Sequence, residues 1–410
     1  MGGLTLALIP VYVHLLVPQQ WGLVAACITF QGVLALLDAG LAQIMPRDMA
    51  IAGGNAVREG KVFRTFSRLY LIVAGIGMLV AQLGAGWLAQ HWLRVADIPH
   101  DYVEIVLRVA AAQFLFQFAN NAHLGYWNGL QRQATANFSQ CAFFTAKHLI
   151  ALSLILLWKA EALAYLLSFM VISSLEWYTN RYFITAQISR SEEAQLITLN
   201  DLLGAARQAA GLAAGVLLGV FVSQLDRIIL SRTVELEQFG RYIVVAQLGQ
   251  AFLQLQYPIM RAFLPSLVVA EAGTNSERVS NRTLGLAVLG VGILPALLLA
   301  TFAEPVLVLW TRDVSIAAEG ALPLALIAIA VAFNSIFNII FIHMVKSSAF
   351  HFLAVGYFVA GVIIILIVPE CARTYGIVAG GLSWLVFCSV QLFFGVWWWL
   401  RQRRNLGRLI

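Results

Sequence analysis

Long apolar runs broken by short polar stretches organise the chain from end to end. A helix needs ~20 apolar residues to cross ~30 Å of hydrocarbon, so runs of this length predict about twelve spanning helices. They fall near 2–17, 22–44, 68–92, 103–126, 140–158 and 162–183 in the first half. In the second half they fall near 209–231, 241–264, 284–310, 321–343, 351–368 and 375–400. The first run lacks a basic lead and a small-x-small exit, so it reads as a spanning helix with a clipped start rather than a cleavable leader. Pro258 and Pro323 sit within or at the start of spans, where neighbouring helices can cover the carbonyl that each proline frees.

The polar stretch 187–207, with Glu192, Glu193, Asn200 and Asp201, divides the pattern into two sets of six. The expected organisation is an N-terminal bundle over 1–186, a cytoplasmic amphipathic linker over 187–207 and a C-terminal bundle over 208–410. Short matches in the same order point to duplication. Gln20-Trp21-Gly22 aligns with Gln238-Phe239-Gly240, which sets Arg47 beside Arg261. Gly129-Leu130-Gln131-Arg132 aligns with Met344-Val345-Lys346, and Ser168-Phe169 with Ser383-Trp384. Six helices separate the copies, an even number, so both halves insert the same way up.

Composition agrees. Of 410 residues, 60% are hydrophobic and 11% charged, against roughly 25% charged in soluble domains. The formal charge of +6 suits loops held at a membrane face. With the N-terminus inside, fifteen of the 26 Lys and Arg residues fall in inner segments and six in outer ones, the other five being Arg108, Lys147, Arg207, Arg227 and Arg261. That bias places both termini in the cytoplasm. Trp397, Trp398 and Trp399 beside Arg401 look like an interfacial anchor. Basic stretches interleaved with aromatics are missing, so no nucleic-acid partner is expected. The four cysteines and seven histidines are scattered without metal spacing, and no metal or cofactor is expected.

Charges at membrane depth are expensive and mark function or pairing. Basic candidates for a substrate-binding cavity are Arg47, Lys147, Arg207 and Arg261, with Lys346 at an inner mouth beside the repeat-matched Arg132. Lys147 either offers a cation to phosphate or pairs with Glu176 on the next span. Arg47 and Arg261 either present their planar forks to phosphate oxygens or snorkel as anchors. Asp38, Glu176, Asp226 and Arg227 are candidates for coupling or gating. Asp38 is either a proton or cation carrier or a hydrogen-bonded structural carboxylate. Asp226 and Arg227 point ~100° apart on a helix and are not expected to pair. Walker-type glycine loops, nucleophile arrangements and paired outer-loop carboxylates are missing, and the loops are short, so no enzyme is expected.

The chain resembles the O-antigen and polysaccharide flippases of the Wzx kind, in the superfamily that also holds multidrug exporters and the peptidoglycan-precursor flippase. The resemblance rests on Gln20-Trp21-Gly22, Leu36-Leu37-Asp38-Ala39-Gly40-Leu41 and Asn128-Gly129-Leu130-Gln131-Arg132. It continues through 224–231 into Phe239-Gly240-Arg241-Tyr242, and to Tyr375-Gly376-Ile377-Val378-Ala379-Gly380-Gly381. It implies an all-α polytopic protein of the bacterial inner membrane, with two six-helix bundles around a central cavity that opens alternately to each side. It also implies transport, from cytoplasmic to periplasmic leaflet, of an undecaprenyl-pyrophosphate-linked oligosaccharide. A polysaccharide polymerase and chain-length proteins are the partners implied, besides membrane lipid. A cation-coupled multidrug exporter is the alternative; its cavity should be acidic, whereas here basic candidates outnumber acidic ones.

Overall fold

The computed structural model describes residues 2–38, 40–188, 198–269, 275–347 and 349–406. Arg190, Glu192 and Glu193 of the expected linker, together with Ala39 and Arg408, lie outside them. Every element among the described residues is helical. The first are α1 (Gly2–Leu15), α2 (Pro18–Leu34), α3 (Leu41–Ala52), α4 (Ala56–Trp87), α5 (His100–Gly129), α6 (Gln133–Leu157) and α7 (Ala162–Ile188). Then follow α8 (Leu199–Val222), α9 (Leu225–Thr233), α10 (Leu236–Gln254), α11 (Tyr257–Val269), α12 (Asn275–Ala287), α13 (Leu294–Thr301) and α14 (Ala303–Thr311). The long α15 (Val314–Lys346), α16 (Phe350–Tyr375) and α17 (Val378–Leu406) complete the chain.

Nine helical stretches among the described residues are long and apolar enough to cross a membrane, and α1 is a shorter apolar helix. Several expected spans are interrupted, each for a local reason. The expected 241–264 breaks at Leu255–Gln256 because Pro258, at the second position of α11, has no N–H to continue the ladder. The expected 209–231 breaks after Val222, where the Ser223 hydroxyl donates to the Val220 carbonyl at 2.7 Å and competes with backbone pairing. The expected 284–310 is divided among α12, a π-helical turn at Val288–Ile293, α13 and α14. Over 199–207 the expected linker is the opening of α8.

The chain forms two compact units. One holds Tyr12–Leu217; the other holds Gly2–Val11 and Leu218–Ile410, so the division falls within α8. The order of elements repeats, as a duplication predicts. A helix, a break and a short helix (α2, α3) recur as α10, α11. A helix ending in a π-helical turn at Leu88–Trp92 (α4) recurs as α12 with its turn at Val288–Ile293. The sequence α5, α6, α7 then recurs as α15, α16, α17.

In the first unit α5 is the centre, packed against α4, α7 and α3. Met45, Met49, Phe66, Tyr70, Phe118 and Tyr126 are among the residues buried there. In the second, α15 plays that part against α17, α14 and α10. Lipid tails are as apolar as leucine, so packing between spans depends on close approach rather than on escape from water. Two motif glycines supply it. A Cβ on Gly129 would stand 2.6 Å from the Pro46 carbonyl oxygen, and one on Gly381 would stand 2.7 Å from that of Pro323. Of the three consecutive tryptophans, Trp398 is buried against Phe337 and Met344 while Trp397 is exposed. The anchor is therefore shared between the lipid face and the core.

Candidate functional site

In the first unit, α5 carries a polar stripe at one- and two-turn spacing: Gln113, Gln117, Asn120 and Asn121. Its last two members are adjacent, so they face ~100° apart, and each serves a different carboxylate. Asn121 donates to Asp38 Oδ2 at 2.8 Å, and the Tyr70 hydroxyl of α4 donates to Asp38 Oδ1 at 2.5 Å. Asp38 is placed for this by the 3₁₀ turn Ala35–Asp38, where α2 gives way to α3. Both donors are neutral, and Asp38 has no ion-pair partner among the described residues.

Asn120 points instead to Glu176 of α7, donating to Oε1 at 2.8 Å. The other oxygen, Oε2, receives Lys147 Nζ of α6 at 2.8 Å, and the two side chains are only 10% and 8% exposed. The network continues outward from Asn120 Oδ1, which accepts from Asn180 Nδ2 at 3.0 Å and lies 2.9 Å from His123 Nδ1. Ser139 closes it by donating to Asn180 Oδ1 at 2.9 Å. A neutral imidazole donating from Nδ1 satisfies that geometry, which leaves its buried Nε2 an acceptor without a partner among the described residues. Beside Lys147, His148 Nδ1 lies 2.9 Å from the Tyr12 hydroxyl.

The second unit has a smaller buried site. Asp226 on α9 accepts from the Tyr242 hydroxyl of α10 in a short contact, and from Trp384 Nε1 of α17 at 3.0 Å. Its Oδ1 has no hydrogen-bond partner among the described residues. Arg227 is 8% exposed, and its Nε and Nη2 likewise lack partners there, as does Gln224 Oε1. Adjacent positions on α9 keep Asp226 and Arg227 from closing on each other. Further along, Gln256 occupies the break between α10 and α11. It accepts from Asn338 Nδ2 at 2.7 Å and donates to the Val331 carbonyl at 3.3 Å, tying both pieces to α15.

The remaining expected cations lie nearer solvent. Arg47 has a side chain 58% exposed, pairs with Asp48 at 2.8 Å and donates to Gln208 Oε1 of α8 at 3.0 Å. Arg207 and Arg261 are exposed on α8 and α11, and Lys346 is half-buried at the end of α15. Thus Lys147 and Glu176 are brought into contact, whereas the side chains of Asp226 and Arg227 form no ion pair among the described residues. At the water-facing start of α8, the Thr198 amide, with Lys61 and the Thr198 hydroxyl, holds the Asp201 carboxyl down at about 2. No cluster of metal-ligating side chains occurs among the described residues.

A sequence profile of the family described as polysaccharide biosynthesis protein matches residues 2–271. The chain belongs to this family. No curated protein matches it significantly. Among solved structures it is similar to a multidrug resistance MATE family transporter of the MOP superfamily, described in an inward-facing conformation. The TM-score is 0.72 at 15% identity, over 99% of this chain and 94% of that one. The lipid II flippase MurJ, inward closed, gives 0.66 at 8% identity over 95% and 87%. A MOP superfamily transporter from Pyrococcus furiosus gives 0.60 at 12% over 98% and 91%. These likenesses concern the fold: this polysaccharide biosynthesis protein is a multi-pass membrane protein with the MOP-superfamily architecture.

For this family member the charged residues of the two buried sites were legible in the sequence, and their neutral partners were not. Tyr70, Asn120, Asn121, His123, Asn180, Tyr242 and Trp384 carry no formal charge and so escape a search for costly ions. One signal was available for α5: amides at Gln113, Gln117, Asn120 and Asn121 repeat with helical spacing inside an otherwise apolar run.

Proposed function

We propose that the protein is a flippase that carries an undecaprenyl-pyrophosphate-linked oligosaccharide, an O-antigen or exopolysaccharide repeat unit, from the cytoplasmic to the periplasmic leaflet of the bacterial inner membrane. The supporting observation is the family match over residues 2–271 on a fold shared with transporters. A polysaccharide family and a fold whose solved members include a flippase converge on translocation of a lipid-linked sugar. The mechanism in this reading is alternating access, with both termini in the cytoplasm. A polysaccharide polymerase and chain-length proteins would take up the product.

The guanidiniums of Arg47, Arg207 and Arg261 are exposed and Lys346 is half-buried, and these are the cations we assign to the pyrophosphate. Each planar fork can bind two non-bridging oxygens at once. Lys147 serves differently at rest, because Glu176 already neutralises it; engagement of phosphate by Lys147 requires Glu176 to let go. Asp38, Glu176, Asp226 and Arg227 are the groups we assign to coupling and gating.

Deleting the gene should cause polyprenyl-linked repeat units to accumulate in the membrane, measured by lipid extraction and mass analysis. Arg261→Ala should lower surface polymer while membrane abundance stays constant. Normal surface polysaccharide with no accumulation, accompanied by sensitivity to organic cations, would favour a multidrug exporter instead.

A further inference from the structure

The first unit carries a second group of cations that the substrate reading leaves unused. Arg64 and Arg68 stand one turn apart on α4, and Arg181 and Thr185 one turn apart on α7. With Phe63, Ser67 and Ile188 they line an open cavity of about 160 Å³. Phe63, Ser67 and Ile188 are buried, Arg64 is half-buried, and Arg68 and Arg181 reach the surface. The Arg181 guanidinium lies over the Trp177 ring, 5.2 Å from its centroid. That contact fixes its position through the π face and leaves its N–H donors for other partners.

Like charges one turn apart repel, and three guanidiniums around one cavity repel more. None of the three forms an ion pair among the described residues. Forked donors with an adjacent serine hydroxyl suit the several oxygens of a phosphoryl group. The surroundings indicate that this phosphate belongs to a lipid. α4 has 32 residues, ~48 Å at ~1.5 Å per residue, which exceeds ~30 Å of hydrocarbon and leaves its first turns at the headgroup level. From Arg68 upward, Ile72, Ile76, Leu79, Val80 and Leu83 follow at helical spacing and are 49–79% exposed. On α7, Tyr178, Leu175 and Val171 continue from Arg181 in the same manner, 47–59% exposed. Cationic groups at the boundary with an exposed apolar face leading away from them match an anionic head and its tails.

We propose that the Arg64–Arg68–Arg181 pocket binds the phosphate-bearing headgroup of a membrane lipid, with the tails lying along the exposed faces of α4 and α7. This site is separate from the cations assigned above to the cargo, and its geometry stands whether or not the protein is a flippase. The phosphoryl chemistry is shared by two sources, an anionic phospholipid and a polyprenyl pyrophosphate.

The test uses the purified full-length chain, delipidated in detergent and titrated separately with phosphatidylglycerol, undecaprenyl pyrophosphate and inorganic phosphate. Bound species are counted by native mass spectrometry. The triple variant Arg64→Gln/Arg68→Gln/Arg181→Gln should bind at least tenfold more weakly to one of the two lipids, and which lipid it loses identifies the source. Arg58→Gln, a single charge removed on α4 outside the cavity and thus the charge-matched control for Arg68→Gln, should bind like the parent, and inorganic phosphate should bind neither protein appreciably. Replacing the three arginines by lysine keeps the charge but removes the fork, and should give an intermediate loss. Because Arg68 is exposed, Arg68→Gln alone offers a folded variant if the triple one is unstable; it should lose affinity in the same direction. Unchanged lipid binding in the triple variant, or an equal loss in Arg58→Gln, would overturn the proposal and leave the cations as positive-inside anchors. Loss of lipid binding with normal polysaccharide export would leave the transport reading intact, and the converse result would leave the pocket intact.

Discussion

The two units surround their ionisable groups in opposite ways. In the first, Glu176 is met by Lys147 and Asn120, and the half-buried Asp38 by Tyr70 and Asn121, so each of these four carboxyl oxygens has a donor. In the second, Asp226 has donors at one oxygen only, and Arg227 keeps two guanidinium nitrogens without partners among the described residues. A buried pair that is fully hydrogen-bonded fixes geometry, since removing either partner strands the other. A buried cation with unused donors does the reverse: it costs stability in the observed state and gains a partner only if its surroundings change. The first unit thus looks built to hold an arrangement, and the second to respond.

That contrast can be broken experimentally, beginning with the largest effect. Glu176→Ala should destabilise the protein by about 3–5 kcal/mol, because Lys147 is left buried without its partner. The double variant Lys147→Met/Glu176→Leu should recover most of the loss, read from thermal unfolding in detergent and from membrane abundance. Arg227→Met should move the other way and stabilise by at least about 2 kcal/mol, since it removes a buried group with two guanidinium nitrogens that lack partners among the described residues. If Arg227→Met destabilises instead, the guanidinium has a partner that matters and the contrast fails.

Tyr70→Phe and Tyr242→Phe sharpen the comparison between aspartates. Each removes one donor to a carboxylate and should cost about 1.5–3 kcal/mol. The loss should be larger for Tyr242→Phe, because Asp226 is fully buried whereas Asp38 is half-buried and water can replace a lost donor there, and it should appear as a lower unfolding midpoint. The smallest effect belongs to the water-facing Asp201. Its carboxyl is held at about 2 by Thr198 and Lys61, below the ordinary value of about 3.9. A lowered carboxylate contributes stability that is complete above the ordinary value and disappears as pH falls through about 2. An unfolding series from pH 5 downward should show that dependence, and Asp201→Asn should remove it.

Much of the architecture was readable because membrane helices announce themselves by length. The duplication was visible from three short alignments, and the repeated order of breaks and π-helical turns follows the same division. The interruptions were harder to see. Pro258 was read as a tolerated kink inside a span, but proline can either kink a helix or end one, and here α10 stops at Gln254 with Gln256 bonded to α15. Among site residues, reading by charge found Asp38, Lys147, Glu176, Asp226 and Arg227. It could not pair Asp38 with Tyr70 across 32 positions or Asp226 with Trp384 across 158, because such partners depend on how helices pack. The Arg64, Arg68 and Arg181 group was hidden for another reason. In sequence these residues are ordinary inner-face cations, and only the crossing of α4 and α7 gathers them around one cavity.

The interruption at Leu255–Gln256 has a mechanical consequence. Within an unbroken helix, a sharp bend requires that bonds of the backbone ladder be given up. At this joint the link to α15 consists of amide side-chain contacts, each worth about 0.5–1.5 kcal/mol and exchangeable one at a time. Resistance to movement of Tyr257–Val269 therefore comes less from backbone continuity with α10 than from Ile259, Met260 and Phe263, which pack on Leu284, Val288 and Ile342.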